Sequence, residues 1–294
     1  MKLKSMLVAV GAYLLWGTQA LYWQFLNGVD TMVVLAARIV FSAVITVLLL
    51  LIRGRIRELG RVMGDRGTRR WMILAALFIT LNWGLYSYLV GRGRYLDTAL
   101  GYYINPLLSI AFGVLVFHER CGKMDILAIC LAAAGVLFSA VRFGRAPGYS
   151  ILIALLFSTY GAIQKRARVD AVTAIAIETL LMTPAALLYV ALSPAGQAVL
   201  STLTLRSGLL LVGAGPFTAA PLLLYAKGIN ELPLSTMGIL QFLSPTLQML
   251  VGAVFLGEAF TADKAVVFCF VAAAVTVYIA GVLLRERRGR RTAA

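Results

Sequence analysis

Apolar residues run along this chain in blocks of roughly 20, each closed by a short polar or basic stretch. Wound as a helix at about 1.5 Å per residue, such a block covers about 30 Å, the hydrocarbon thickness of a bilayer. Ten blocks are legible, at about 5–26, 32–52, 71–90, 97–117, 124–141, 148–164, 171–192, 207–227, 233–256 and 263–284. The alternating segments of a membrane β-barrel are missing. The pattern predicts an all-α polytopic membrane protein with ten transmembrane helices. The start, MKLKSMLVAVGAYLLWG, has the basic opening of a signal peptide. Its apolar run is too long and lacks a clear cleavage site, so it reads as the first helix.

Two of the blocks are copies. Gly101–Glu119 and Leu240–Glu258 share one spacing, Pro106, Gly113, Glu119 against Pro245, Gly252, Glu258. Each also has an aromatic three residues before the proline (Tyr103, Phe242) and a small polar residue just before it (Asn105, Ser244). The 139-residue offset divides the chain into a first repeat over 1–145 and a second over 146–284, with a basic tail over 285–294. Each half holds five blocks, an odd number, so the halves should cross the membrane in opposite senses around a central cavity. Inverted repeats of this kind are common in secondary transporters, whose substrate site lies near the midplane between the repeats.

Charge orients the chain. It is 61% hydrophobic and 13% charged, with a formal net charge of +15. Twenty of its 27 Lys and Arg fall on the side of the two termini, and six on the other. That bias places both termini in the cytoplasm and makes the basic balance a topology signal, not a nucleic-acid surface. The three cysteines, Cys121, Cys130 and Cys269, have no metal-like spacing and imply no disulfide framework.

The remaining charge, Arg38, lies inside the second block, and Glu178 lies inside the seventh. Charges are costly there and usually mark a pathway, a relay or a buried pair. The two occupy corresponding blocks 140 residues apart. They are read as a symmetry-related pair in the cavity, paired with each other or facing the charged ends of a substrate. A structural ion pair, or an Arg38 that snorkels, stays open. Trp16, Asn82, Trp83, Tyr86, Tyr103, Asn105 and Gln241 are the further candidates for cavity lining, since amides left unpaired in lipid are costly. Pro106 and Pro245 free the carbonyls of Tyr102 and Gln241, and are read as hinges or as packing kinks. Glu119 and Glu258 are read as surface anchors or loop ion pairs, with Arg120, Lys123 or Lys264 as partners. No catalytic signature, metal cluster or phosphate-binding loop is present, so neither an enzyme nor a cofactor is expected.

Five stretches resemble the drug/metabolite transporter superfamily with its EamA-type repeats, and its RarD branch in particular. They are AYLLWG (Ala12–Gly17) with Tyr22 and Trp23, LNWGLYSYLV (Leu81–Val90), ALGYYINPLL (Ala99–Leu108), IETLLMTP (Ile177–Pro184) and LSTMGILQFLSPT (Leu234–Thr246). The resemblance covers essentially the whole chain. It implies a bacterial inner-membrane exporter of a small organic solute, such as an amino-acid-like metabolite or a drug, working by alternating access. One departure is His118, which stands where the second half has Gly257 and where EamA repeats commonly carry glycine. Glu178 is the first candidate for proton coupling, with passive or exchange transport equally open, and the oligomeric state is not fixed. The rival reading is a non-transporting sensor or scaffold on the same fold.

Overall fold

The computed structural model describes residues 3–143, 148–255 and 261–292, and among them the regular structure is helical. In chain order the helices are α1 (Leu3–Thr18), α2 (Ala20–Trp23), α3 (Thr31–Ile52), α4 (Arg57–Gly64), α5 (Arg66–Gly91), α6 (Tyr95–Phe117) and α7 (Lys123–Phe143). They continue as α8 (Gly148–Ala167), α9 (Ala171–Leu192), α10 (Pro194–Ser201), α11 (Leu205–Glu231), α12 (Leu234–Gln241), α13 (Leu243–Phe255) and α14 (Ala262–Thr292). Among the described residues, eight helical segments are long and apolar enough to cross a membrane. Exposed leucines and valines cover the outer faces of these helices, for example Leu115, Leu137 and Leu188. Cys130 and Cys269 lie on the same kind of surface.

The helices differ from the apolar blocks in five places. The first block is interrupted at Gln19, and the ninth at Phe242. Part of the basic stretch 53–70 forms α4, which places Glu58 against α9 through Thr173 (3.0 Å). Residues between the seventh and eighth blocks form α10, capped by Ser193. The expected tail 285–294 continues α14 as far as Thr292. Block reading misses the short helices because their caps and polar faces carry no long apolar run.

Two equivalent caps start two equivalent helices. Asp30 accepts from the backbone N–H groups of Met32 and Val33 at the start of α3. Asp170, 140 residues on, accepts from Val172 and Thr173 at the start of α9. Each cap satisfies amide donors that helix geometry leaves open, a contribution of about 1 kcal/mol. α3 and α9 pack on each other, as do α7 with α14 and α6 with α12. α1 packs on α11 and α13, α8 on α5 and α6, and α3 and α9 on α11 and α5 respectively.

Polar contacts collect at two ends of this bundle. At one end Ser5 donates to Glu231, Arg55 pairs with Asp170 at 3.5 Å, and Asn230 donates to the Val169 carbonyl. At the opposite end Arg142 pairs with Asp263 at 3.0 Å and Arg94 with Asp97 at 2.7 Å.

Glu119 stands at the first of these ends, and its role corrects the expected one. Its carboxylate accepts from the backbone N–H groups of Leu234 (2.7 Å) and Ser235 (2.8 Å), the first turn of α12. Its ion-pair partner is Lys165 at 3.3 Å, where Arg120 or Lys123 was expected. Lys165 also donates to the Leu232 carbonyl, so the contact ties α6, α8 and α12 together. Gly113 allows it, since a Cβ there would stand 2.6 Å from the Glu119 carboxylate and 2.8 Å from the Ser235 nitrogen. His118, just before, sits in the left-handed region at φ 53°. That conformation is one a glycine adopts at little cost. The corresponding Glu258 lies outside the described residues.

Burial raises the Glu119 pKa, but the Ser235 and Leu234 amides and the Lys165 charge outweigh it and hold the carboxyl below its ordinary range. A depressed folded pKa contributes stability above the unfolded value of about 4.3 and loses it as pH falls through the folded value. Replacing Glu119 by Gln should lower the apparent unfolding temperature in detergent at pH 7, a loss of about 1–3 kcal/mol. The gap to the wild type should close as the pH falls below about 4, which melting curves across pH would read.

Candidate functional site

A cavity of about 110 Å³ opens among the helix ends left by the two interruptions. Water needs only about 10–15 Å³ of such space, so the cavity holds several waters or part of a small solute. Trp16, Gln19 and Trp23 come from the α1–α2 break, and Gln241, Ser244, Pro245 and Gln248 from the α12–α13 break. Arg38 of α3, Asn82, Trp83 and Tyr86 of α5, Tyr102 of α6 and Phe157 of α8 complete the wall. Arg38 and Tyr102 each stand seven residues into their helices, about 10 Å from the end that carries the 27–30 and 91–94 turns.

The local pairing explains why the broken helices are tolerated. Pro221 cannot donate to the Phe217 carbonyl four residues earlier, and the Gln19 amide donates to that carbonyl instead. Gln248 donates to the Trp16 carbonyl (3.1 Å), which ties α13 to the end of α1. Gly17 makes that approach close, since a Cβ on it would meet Leu247 at 2.7 Å. Asn82 is fully enclosed and donates to the Ile153 carbonyl (2.9 Å). Gln241 is buried, and its side-chain amide makes no hydrogen bond with a described residue.

Arg38 carries the charge of the cavity. Its Nε donates to Thr218 Oγ1 at 3.0 Å, and its guanidinium lies 5.0 Å from the ring centres of both Trp23 and Trp83. Aromatic faces on two sides attract a cation and offset part of its desolvation. Among the described residues it has no carboxylate within ion-pair distance.

The pairing with Glu178, one of the two arrangements expected, is not formed. Glu178 accepts from Tyr160 (3.1 Å) and from Gln164, and lines a separate crevice of about 10 Å³. Trp83 lines both spaces and separates them. Sequence offset places Arg38 and Glu178 on equivalent helices but says nothing of which way each helix turns, and neutral donors hold the carboxyl where it is.

Of the remaining candidates, Trp16, Asn82, Trp83, Tyr86, Gln241 and Pro245 line the cavity. Tyr103 points its hydroxyl at Met249 Sδ (3.9 Å), and Asn105 bonds Ser158 (2.6 Å) between α6 and α8. Pro106 remains inside a continuous α6, with its carbonyl 2.7 Å from where a Cβ on Gly238 of α12 would stand. Gln19, Trp23, Tyr102, Phe157, Ser244 and Gln248 also line it. Phe157 was the hardest to see, because one phenylalanine in an apolar helix looks like any core residue.

The EamA-like transporter family model matches this chain twice, over residues 3–141 and 146–280. The chain belongs to the EamA-like transporter family. It is a RarD-type member of the drug/metabolite transporter superfamily. An uncharacterized transporter of Vibrio cholerae is 38% identical, over 94% of this chain and 91% of its own length. Protein RarD of Escherichia coli is 32% identical over 97% of each. A solved crystal structure shares the fold, with a TM-score of 0.69 at 20% identity, over 93% of this chain and 96% of the other. With its apolar helices, this family membership makes the chain a multi-pass membrane transporter.

The cavity assignment in this EamA-like chain is open to a direct check. In a background with Cys121, Cys130 and Cys269 replaced by serine, Gln248→Cys and Ser244→Cys should react with a small hydrophilic thiol reagent. Ser109→Cys and Ser158→Cys, packed in the α6–α8 contact, should react about tenfold more slowly or less. Mass spectrometry of the labelled protein reads the rates.

Proposed function

We propose that this chain is a secondary transporter that moves a small organic solute through the Arg38 cavity by alternating access. Ten helices form two inverted five-helix repeats, and both termini face the cytoplasm of a bacterial inner membrane. The observation that carries the reading is a polar and aromatic cavity built from both halves of the chain. Trp16, Arg38 and Asn82 come from the first half, and Phe157, Gln241 and Gln248 from the second.

The packing supports the repeats. Exchange of α1 with α8, α3 with α9, α5 with α11, α6 with α12–α13 and α7 with α14 leaves the main contacts unchanged. The contact of α1 on α11 becomes α8 on α5, α1 on α13 becomes α8 on α6, and α3 on α11 becomes α9 on α5. The contacts of α3 with α9, α7 with α14 and α6 with α12 map onto themselves. Two halves related in this way can rock against each other about a fixed site. The Glu119 contact then acts as a cytoplasmic closure, because it joins α6 of one half to α12 of the other.

Glu178 is the carboxyl through which proton coupling would run. It is buried, held by two neutral donors, and one tryptophan away from the cavity. A carboxyl so placed is costly to charge and gains a distinct state when it takes a proton. A closed core with Arg38 and Glu178 paired would favour the scaffold reading, and among the described residues neither is found.

Export is the direction that the family resemblance implies, and flux in proteoliposomes reads both directions. A panel of metabolites and drugs, offered with and without a pH gradient, should reveal at least one solute carried by the wild type. Arg38→Ala should cut that flux about tenfold or more while the protein stays folded. Glu178→Gln should remove the response to the gradient and leave solute exchange. A folded wild type that moves no solute would contradict the reading.

A further inference from the structure

We infer that the cavity takes a small organic monocarboxylate with an apolar or aromatic body, anchored at Arg38. The inference rests on the reading of this cavity as the transport site.

The first argument is charge. Among the described residues that line the cavity, Arg38 alone carries a charge. No carboxylate in the lining answers it, and Glu178 faces its own crevice behind Trp83. A cationic solute would bring a second positive charge into a space of low dielectric, where repulsion is much stronger than in water. An anion would supply the missing counter-charge. One cation matches one negative charge, which favours a monocarboxylate over a dianionic phosphate ester.

The second argument is hydrogen-bond geometry. A guanidinium has five N–H donors in a planar fork, and Thr218 takes the one on Nε. Trp23 and Trp83 cover its faces at 5.0 Å but accept no conventional hydrogen bond. The two terminal amino groups make no hydrogen bond with any described residue. Those groups match the two oxygens of a carboxylate. The buried and unpartnered amide of Gln241 lines the same space and offers a further donor or acceptor.

The third argument is the rest of the wall. Trp16, Tyr86, Tyr102 and Phe157 give the solute a largely aromatic surface. A small volume, one cation and aromatic sides suit a compact ring or short chain that ends in a carboxylate.

Purified protein would be titrated at pH 7 with benzoate, benzamide, benzylamine and phenylphosphonate, by calorimetry, and the same solutes tested for flux in proteoliposomes. Benzoate should bind about tenfold or more tightly than the other three, the margin of a charge-assisted bidentate contact. Arg38→Gln should weaken benzoate about tenfold and leave benzamide nearly unchanged, while Arg38→Lys keeps part of the preference. A melting temperature of Arg38→Gln equal to that of the wild type, beside its retained benzamide binding, separates loss of the anchor from misfolding. Equal or tighter binding of benzamide, benzylamine or phenylphosphonate would overturn the inference. So would benzoate binding that survives Arg38→Gln. Flux of the amide or amine without benzoate would overturn the carboxylate assignment alone and leave the transport reading standing. No binding and no flux across the panel, in folded protein, would overturn this inference and count against the transport reading as well.

Discussion

Inside a bilayer no water stands ready to satisfy a polar group, and the arrangement of this chain follows from that. Helices meet the demand for most of the backbone. At the breaks, side chains take over: Gln19 serves the carbonyl that Pro221 leaves open, and Gln248 serves Trp16 at the end of α1. Glu178 has Tyr160 and Gln164. Arg38, the charge among the described lining residues, is matched only in part. It has one hydroxyl and two aromatic faces, and no carboxylate among the described residues. The proposed substrate site rests on this guanidinium, left partly unanswered beside a cavity.

The two ends of the bundle are built unequally around that place. Toward the 27–30 and 91–94 turns lie the cavity and its aromatic rim of Trp23 and Tyr86. Toward the other end, Tyr13, Phe157, Tyr160 and Tyr225 pack against one another at centroid distances of 5.4–6.3 Å. Beyond them Glu119 binds the first turn of α12 and Lys165. The proposed alternating cycle needs contacts at that end that break as units, and a carboxylate bonded to two amides and one ammonium is such a unit.

Much of the fold was legible because membrane helices announce themselves by length and by apolar content. The expected repeat rests on proline, glycine and glutamate recurring at one spacing, and the structure gives two of those residues a shared purpose: Gly113 clears the space into which Glu119 reaches. The caps Asp30 and Asp170 belong to the same repeat but are single acidic residues before apolar runs, easily passed over. The site was legible in part. Polar residues deep in apolar blocks led to Arg38, Asn82 and Gln241, since burial makes such residues costly wherever they lie. The same rule could not separate cavity from packing. Asn105 is as polar and as buried as Asn82, yet it joins α6 to α8 through Ser158. Which way a helix is rotated depends on its neighbours, and that information is spread over the whole bundle.

The central claim is that the two halves move and that the contact between α6 and α12 opens when they do. A cysteine pair at positions 119 and 235, in a background free of other cysteines, places a disulfide where Glu119 now meets α12. Solute flux in proteoliposomes should stop when that pair is oxidised and return on reduction. Flux that continues unchanged with the cross-link complete would contradict the account.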